Sequence, residues 1–323
     1  MKIVICEFMD EASVKDLQRR FDVVYDPQLV DKPQELMREL ADAMALIVRN
    51  RTQVRGELLA AGPQLKVVGR LGVGLDNIDV AACEARGVAV IPATGANALA
   101  VAEYVISTAM VLLRGAYLSS GAVGAGKWPR ALLSEGRESA GKTLGIVGFG
   151  GIGRLAAKLA RSLGMRVIGY DPMLDADAPA WRESGATCCS LDGLLREADV
   201  VTLHVPLTDA THKLLDAARI GMMKPGAVLI NTARGGIVDE AALAEALREG
   251  RLGGAALDVF EHEPLAAGSV LADVPNLILT PHIAGVTRES NERVSAMIAE
   301  LVAGRLLGTT TTEHSCQHLA LPT

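Results

Sequence analysis

Three polar side chains, Arg234, Glu263 and His282, each follow an apolar run of the chain. Such runs are typical of strands in a buried parallel sheet, and ligands bind at the edge where those strands end. An imidazole there can exchange a proton with a carbonyl or hydroxyl oxygen. A carboxylate bonded to its second nitrogen fixes the tautomer, and an arginine can hold a substrate carboxylate through two parallel hydrogen bonds. Together the three residues predict hydride transfer at a 2-keto or 2-hydroxy acid.

Each of these residues also has a plainer interpretation when it is taken alone. His282 follows Pro281 and fits a structural histidine in a loop. Arg234 fits a surface ion pair, and Glu263 fits a helix cap. Their joint placement after three successive strands favours catalysis, with Arg234, Glu263 and His282 as the catalytic residues. His204, at another strand end, is interpreted as structural or as part of a cofactor wall.

The hydride carrier is indicated by a glycine motif that stands between two apolar runs. Gly148, Gly150 and Gly153 form G-x-G-x-x-G after a strand-like segment and before an amphipathic helix. This spacing permits a tight turn, a close approach of the backbone to a pyrophosphate, and close packing of helix on strand. Asp171 ends the next strand, where a carboxylate accepts hydrogen bonds from a ribose and repels the 2′-phosphate of NADP. The pattern predicts NAD, and its alternative is a βαβ turn without a ligand.

Composition argues against several other classes of protein. The 323 residues are 50% hydrophobic but only 3% aromatic, which predicts two domains with aliphatic cores. A formal net charge of −6 gives no basis for binding nucleic acid. No apolar stretch is long enough for a membrane span, the N-terminus lacks a signal-peptide pattern, and the five cysteines have no zinc-site spacing. We therefore expect a cytoplasmic protein without a metal, membrane or nucleic-acid partner.

Apolar runs alternate with helical patterns along the chain, which predicts an α/β fold. A long helix from Ala98 to Leu118 is expected to lead into a second domain, and another from Val286 to Leu307 is expected to return to the first. The first domain is then discontinuous, residues 1–97 plus 286–323, and the second is residues 98–285. The end of the chain from Thr309 has little apolar periodicity and is predicted to be disordered. The predicted strands are Lys2–Cys6, Asp22–Tyr25, Ala45–Val48, Lys66–Gly69 and Val88–Ile91, then Asp199–His204, Ala227–Asn231, Gly254–Val259 and Asn276–Thr280 after the glycine motif.

Ordered motifs along nearly the whole chain resemble the D-isomer-specific 2-hydroxyacid dehydrogenases, particularly the phosphoglycerate-dehydrogenase-like branch. The resemblance implies an α/β protein with two doubly wound parallel-sheet domains and a cleft between them. The first domain would be a flavodoxin-like substrate-binding domain, and the second would be a Rossmann NAD-binding domain. Besides the glycine motif, the matching segments are GRLGVGLDNID at 69–79, NTARGG at 231–236, ALDVF at 256–260 and PHIAG at 281–285.

The same resemblance implies roles for particular residues. Arg234 would anchor the substrate carboxylate, Glu263 would pair with the histidine, and His282 would act as acid and base. A homodimer formed through the NAD domain is implied, with the Trp128 region reaching toward the partner chain. The implied substrate-binding residues include Gly72, Val73, Gly74 and Asn97. The implied cofactor-binding residues are Gly148, Gly150, Gly151, Ile152, Gly153, Asp171, Val205, Thr232, Ala233, Arg234, Asp258, His282 and Gly285.

Arginines of the first domain bear on which hydroxy acid is bound. Arg49, Arg51 and Arg70 are expected near strand ends and can bind a second anion, because a guanidinium suits phosphate and sulfonate. The alternative is that Arg49 and Arg51 pair with carboxylates or face solvent. We expect a D-type 2-hydroxy acid with an anionic tail, such as 3-phosphoglycerate or 3-sulfolactate. The segments 7–11 and 49–53 look like sulfolactate dehydrogenases.

Other functions fit the same scaffold. The enzymatic alternative is a glyoxylate or hydroxypyruvate reductase, and lactate also stays open as a substrate. An NAD-sensing binding protein, like the C-terminal-binding corepressors, can keep all three polar residues, and turnover of a 2-keto acid with NADH would count against it. Formate dehydrogenases are similar as well, but they typically pair the active-site histidine with glutamine, where Glu263 stands here.

Overall fold

The computed structural model describes residues 1–309. The chain divides into two compact units, one of Met1–Asn97 with the segment from Val286 onward, and one of Ala98–Gly285. The disorder predicted for the end of the chain falls, beyond Thr309 itself, outside the described residues.

Five parallel strands form the sheet of the first unit, and their mostly apolar residues suit a sheet that is buried on both faces. Their order, β2-β1-β3-β4-β5, is the flavodoxin-like arrangement of a doubly wound sheet. All five predicted strands are present, with ends that differ by no more than a single residue. The elements are β1 (Lys2–Ile5), α1 (Glu11–Gln18), β2 (Asp22–Tyr25), α2 (Pro33–Leu40), β3 (Ala45–Val48), α3 (Gly56–Ala61), β4 (Val67–Arg70), α4 (Val80–Ala85) and β5 (Ala89–Pro92).

Seven parallel strands form the sheet of the second unit, in the order β12-β11-β10-β9-β6-β7-β8. The strand order reverses beside β6, as in a Rossmann fold, and ligands of such sheets bind outside the carboxyl ends of the strands at the reversal. The strand β8 was not predicted, because two residues are too few for an apolar run to be recognised. The elements are α5 (Ala98–Arg114), α6 (Ser120–Gly124), α7 (Arg130–Leu133), β6 (Thr143–Val147), α8 (Gly151–Ser162), β7 (Arg166–Tyr170), α9 (Pro179–Ser184), β8 (Thr187–Cys188), α10 (Leu191–Glu197), β9 (Val200–Leu203), α11 (Ala217–Met222), β10 (Val228–Asn231), α12 (Glu240–Arg248), β11 (Gly254–Leu257) and β12 (Leu277–Leu279).

The two long helices are shorter than predicted, for local reasons. Helix α5 ends before Gly115, whose φ of +68° lies in the left-handed region that stops a helix. The last helix, α13 (Arg288–Leu307), begins after Thr287, whose hydroxyl accepts a backbone hydrogen bond as an N-cap. Helix α13 packs on β4 so closely that a β-carbon on Gly69 would lie 2.8 Å from Ile298 Cγ2.

Alternate residues of each strand enter apolar clusters on opposite faces of its sheet, as the pleat requires. In β1, Ile3 joins the cluster on one face and Val4 joins the cluster on the other, and both side chains are fully buried. The cores are aliphatic, as composition predicts. Within residues 1–309, no single helix is long and apolar enough to cross a membrane; only α5 taken together with the bent segment Ala116–Gly124 passes by length and composition.

Candidate active site

An imidazole and a carboxylate meet in the second unit, as the sequence predicts. Nδ1 of His282 lies 2.8 Å from Oε2 of Glu263. The other oxygen of Glu263 accepts a hydrogen bond of 3.0 Å from the amide of Phe260, which holds the carboxylate in place. The His282 side chain is 44% exposed, so its ring is open to a ligand. Because Nδ1 is bonded to the carboxylate, Nε2 is the ring nitrogen that can exchange a proton with a substrate.

The buried residue Asp258 shapes the loop that carries His282. Its side chain is 1% exposed and accepts amide hydrogen bonds of 2.8 Å from both Ile283 and Ala284. Its carbonyl accepts a hydrogen bond of 2.8 Å from the amide of His282, which has a φ of +54°. Non-glycine residues rarely adopt this conformation, and the hydrogen bonds to Asp258 stabilise it in this loop. The cofactor role expected of Asp258 stays a prediction, and in the structure its carboxylate organises the loop that carries His282.

Two further side chains that are linked to Asp258 by hydrogen bonds, Thr280 and Tyr104, were not predicted. The hydroxyl of Thr280 donates to Oδ1 of Asp258 at 2.6 Å, and its oxygen lies 2.7 Å from the hydroxyl of Tyr104. Burial raises the pKa of Tyr104, so its hydroxyl stays protonated and can act as a donor. Tyr104 lies in the apolar helix α5, far from the loop in sequence. A single phenol among aliphatic neighbours was the available signal.

The loop after β10 presents Arg234 and is fixed by Asn231, which sequence reasoning did not select. Oδ1 of Asn231 accepts from the amide of Ala233 at 3.0 Å, and Nδ2 donates to the carbonyl of Arg234 at 2.8 Å. The adjacent Gly235 lies against the next loop, because a β-carbon on it would be 1.7 Å from the carbonyl oxygen of Phe260. Phe260 also binds Glu263, so the loop of Arg234 and the loop of Glu263 pack together.

The glycine motif forms an open turn at the start of α8. Gly148 has a φ of +92°, and a β-carbon on it would lie 2.6 Å from the carbonyl oxygen of His204. A β-carbon on Gly153 would lie 2.5 Å from the carbonyl oxygen of Gly148. At Gly150 and Gly151, by contrast, a β-carbon would meet nothing within 4 Å. The structure therefore keeps free space beside the helix N-terminus, where backbone N–H groups can bind a pyrophosphate.

Other residues expected to hold NAD lie around this turn, and they fit a dinucleotide. The carboxylate of Asp171 accepts amide hydrogen bonds from Phe149 at 2.7 Å and from Met173 at 2.9 Å, which fix its orientation. Each oxygen keeps a further lone pair for a ribose hydroxyl. Oγ1 of Thr232 is buried and has no hydrogen-bond partner within residues 1–309. Such an orphaned group is typical of a position where a ligand supplies the missing bond. Of the remaining residues, Ile152 lies in the first turn of α8, Val205 follows β9, and Ala233 and Gly285 lie in the loops described above.

His204 lies at the end of β9 beside Gly148 but is unsuited to proton transfer. Burial lowers the pKa of its imidazole to about 4, so the ring is neutral near neutral pH. Its Nε2 lies 3.1 Å from Oγ1 of the fully buried Thr202. These contacts agree with a structural role beside the cofactor motif.

In the first unit, the predicted substrate loop follows β4. The Gly72 amide donates to the Arg70 carbonyl at 2.8 Å, so this amide is used within a tight turn. A β-carbon on Gly72 would lie 1.4 Å from Nη1 of Arg70, which shows that the guanidinium covers this glycine. Val73 is 40% exposed, and Gly74 is half-buried next to it. Oδ1 of Asn97 is buried without a hydrogen-bond partner among the described residues.

The two arginines after β3 have different surroundings. Nη2 of Arg49 donates to Oδ1 of Asn291 at 2.8 Å, and the guanidinium lies over the ring of Phe8, 5.8 Å from its centroid. Arg51 instead forms an ion pair with Asp31 at the surface, which is the alternative that the sequence left open. Of these two arginines, Arg51 is therefore paired with a carboxylate, whereas no carboxylate of the described residues lies within 4 Å of the Arg49 guanidinium.

Comparison with known proteins decides the family. Residues 106–284 match the family model described as D-isomer specific 2-hydroxyacid dehydrogenase, NAD binding domain. This range is more than half of the chain and contains the glycine motif with Arg234, Glu263 and His282. The chain belongs to the D-isomer-specific 2-hydroxyacid dehydrogenase family.

Individual relatives of this dehydrogenase match along its length. It is 56% identical over 306 residues to the (S)-sulfolactate dehydrogenase of Chromohalobacter salexigens, covering 95% of this chain and 98% of that protein. It is 37% identical over 308 residues to the D-3-phosphoglycerate dehydrogenase of Archaeoglobus fulgidus, covering 95% of this chain but only 58% of that longer protein. The D-lactate dehydrogenase of Aquifex aeolicus, solved with NAD and lactic acid, has a TM-score of 0.80 at 30% identity, over 96% of each chain.

These matches confirm four predictions made from the sequence of this dehydrogenase. They are the family, the α/β fold with two parallel sheets, NAD as the cofactor, and an oxidoreductase that acts on the CH–OH group of a 2-hydroxy acid. The roles of individual site residues and the homodimer stay predictions.

Proposed function

We propose that this dehydrogenase interconverts 3-sulfolactate and sulfopyruvate, which share a sulfonate tail. The observation that carries the proposal is Arg49, whose half-buried guanidinium is held at the end of β3 by a neutral partner, Asn291. A guanidinium oriented in this way suits a sulfonate or a phosphate. The 56% identity to an (S)-sulfolactate dehydrogenase favours the sulfonate, and 3-phosphoglycerate is the second candidate. Sulfur changes the naming priorities, so the D-like arrangement of sulfolactate carries the label S.

His282 would move the proton of this reaction. In reduction, the protonated imidazole donates its Nε2 proton to the carbonyl oxygen of the keto acid, and in oxidation the neutral imidazole takes the hydroxyl proton. Glu263 keeps a proton on Nδ1 and stabilises the imidazolium. Arg234 would hold the substrate carboxylate through two hydrogen bonds and polarise the adjacent carbonyl. The cofactor that these residues would hold would supply a hydride to the carbonyl carbon in its reduced form, NADH, and would accept one in the reverse direction in its oxidised form, NAD⁺.

The residues that would hold NAD follow from the open turn. The free N–H groups at the start of α8, next to Gly150 and Gly151, would bind the pyrophosphate. Asp171 would accept hydrogen bonds from the adenosine ribose, and its charge disfavours the 2′-phosphate of NADP. The buried hydroxyl of Thr232 would find its missing partner on the cofactor.

A substrate panel tests this function directly. NADH oxidation is measured with sulfopyruvate, phosphohydroxypyruvate, hydroxypyruvate, glyoxylate and pyruvate. We expect sulfopyruvate to have the highest kcat/KM, because its tail carries the charge that Arg49 would bind. A highest value with hydroxypyruvate or glyoxylate would instead identify a reductase of those acids. Absence of turnover with every keto acid would favour an NAD-sensing binding protein.

Replacing Arg49 by methionine tests the tail site. The methionine keeps an apolar stem but removes the charge, so we expect kcat/KM for sulfopyruvate to fall by about a hundredfold, the loss of a charge-assisted hydrogen-bond pair. For pyruvate, which has no tail, we expect a change below about threefold. Arg51→Met is the matched control, because Arg51 is paired with Asp31. Equal losses on both keto acids for R49M, or a larger loss for R51M, would contradict the assignment.

We also propose a homodimer that forms through the segment between α5 and β6. This segment exposes large apolar side chains, among them Tyr117 at 68%, Trp128 at 79% and Leu132 at 76%. Exposed apolar surface of this kind is typical of protein–protein interfaces. Sedimentation equilibrium should give the mass of two chains for the native protein, and W128S with L132S should shift it toward one chain.

A cytoplasmic location is part of the proposal, supported by free thiols at Cys6, Cys83, Cys188 and Cys189.

A further inference from the structure

We propose that Glu7 is a positioning residue that fixes the loop Arg49–Thr52, and with it the guanidinium that recognises the anionic tail of the substrate. This inference rests on the proposed function, because it assigns the residue that sets the tail specificity of the same site. The side chain of Glu7 is buried against the backbone of this loop, so we do not expect it to contact the substrate.

The carboxylate of Glu7 accepts hydrogen bonds from backbone amides of the loop. Oε1 accepts amide hydrogen bonds from Arg49 at 2.9 Å and Thr52 at 3.0 Å. Oε2 accepts from Asn50 at 3.3 Å and Arg51 at 3.2 Å. Four consecutive N–H groups therefore converge on one side chain, which is only 4% exposed. A neutral side chain cannot accept from all four amides, so the charge is needed for this geometry.

The ionised form of Glu7 is maintained although it is buried, and its charge interacts electrostatically with the guanidinium groups of Arg49 and Arg51. Burial by itself would raise the pKa of this carboxyl, but the amides of Thr52, Arg49 and Arg51 outweigh it and lower the pKa below its usual value. Hydrogen bonds donated to a carboxylate favour its charged form in this way. The loop and the carboxylate thus stabilise each other at neutral pH.

The carbonyl side of the same loop is held as well. Nδ2 of the buried Asn77 donates to the carbonyl of Thr52 at 2.8 Å and to that of Arg49 at 3.4 Å. The hydroxyl of Thr52 lies 3.3 Å from Sγ of Cys6, next to Glu7 in the chain. Backbone donors and acceptors of the loop are therefore both bound by buried side chains, which restricts its movement.

The fixed backbone gives Arg49 a defined direction. Its Nη2 donates to Oδ1 of Asn291 on α13, and Phe8 covers one face of the guanidinium. Neither of these two partners is an anion, and the buried carboxylate of Glu7 interacts with the guanidinium electrostatically but forms no ion pair with it within 4 Å. A loop movement of about 1 Å would displace the guanidinium, and such displacements cost substantial substrate affinity. Glu7 thereby prepares a cation for an anionic ligand.

Glu7→Gln tests the inference, because it keeps the shape but leaves two of the four amides facing an NH₂ group. We expect the KM for sulfopyruvate to rise about tenfold, with kcat changed by less than about twofold, because charge-assisted bonds that hold the binding group are lost. The loss in kcat/KM for pyruvate should stay below about threefold. Asp31→Asn is the matched control. It removes the carboxylate that pairs with Arg51, and it should leave the KM for sulfopyruvate and the kcat/KM for pyruvate unchanged. Equal losses on the two keto acids, or an unchanged KM for sulfopyruvate, would overturn the inference.

A double-mutant cycle separates this role from general stabilisation and from the proposed function. If Glu7 acts through Arg49, adding E7Q to R49M should lower kcat/KM for sulfopyruvate by less than about twofold beyond the loss that R49M causes alone. Full additivity would overturn the positioning role. An R49M variant without effect on sulfopyruvate would remove the proposed tail site and this inference together, whereas an effective R49M with a silent E7Q removes only the inference. If E7Q does not fold, Glu7→Asp, which keeps the charge but reaches fewer amides, is measured in the same cycle with the same outcomes.

Discussion

Replacing His282 by asparagine is expected to lower kcat for keto-acid reduction by about a thousandfold, the usual contribution of a positioned general acid. Asparagine is the suitable substitution because residue 282 has a φ of +54°, a conformation that asparagine adopts more readily than most residues. The loop held by Asp258 should therefore persist. Without the imidazole, the developing alkoxide oxygen has no proton donor, while the arginine anchor stays in place. Steady-state rates at saturating NADH measure the effect.

The neighbouring His262→Asn is the control for this variant. His262 lies in an exposed part of the loop before Glu263, and the contacts that hold His282 and Glu263 together do not involve it. We expect its kcat to stay within about twofold of the native value, as for most surface substitutions. A His282→Asn variant that keeps more than a tenth of the native kcat would contradict the role of His282 as the acid.

Replacing Arg234 by lysine is expected to lower kcat/KM by about a hundredfold, and replacing it by methionine by about a thousandfold. Lysine keeps the charge but cannot form two parallel hydrogen bonds with a carboxylate, whereas methionine keeps neither. Because the anchor acts in the ground state and in the transition state, part of the loss should appear in KM and part in kcat. All keto acids should be affected alike, since each has the same carboxylate.

This common loss distinguishes Arg234 from Arg49, whose replacement should affect only substrates with an anionic tail. Arg248→Met is the matched control, because Arg248 binds the carbonyls of Val270 and Ala272 at the surface. The anchor assignment would be wrong if R234M lost activity on sulfopyruvate but retained it on pyruvate.

Much of the fold was accessible from the sequence because parallel strands buried on both faces appear as short, continuous apolar runs. The runs at Asp22–Tyr25 and Ala45–Val48 agree with the observed strands to the residue. The strand Thr187–Cys188 was missed because it is too short to show such a run. Helix α5 was predicted too long because apolar residues continue beyond Gly115, where the backbone leaves the helical region.

The sequence predicted the candidate site to a similar extent. Arg234, Glu263 and His282 follow strands whose carboxyl ends share one edge of a sheet, so their order in the chain predicts their proximity. The pairing of His282 with Glu263 follows from this rule. The supporting contacts of Asn231, Thr280 and Tyr104 do not, because hydrogen bonds between side chains depend on rotamers and on packing that residue spacing does not describe.

The sequence by itself determined the family of this dehydrogenase and its cofactor, and it predicted the groups that carry the chemistry: a glycine turn for the dinucleotide, an acid for the ribose, and an arginine, a glutamate and a histidine at strand ends. These features depend on local spacing within single β-α units. Only the tertiary structure decided which arginine of the segment 49–53 is oriented and which is neutralised. Arg49 meets Asn291 and Glu7 holds its loop, whereas Arg51 meets Asp31. Those partners come from distant segments that packing brings together, and no local pattern in the chain encodes them.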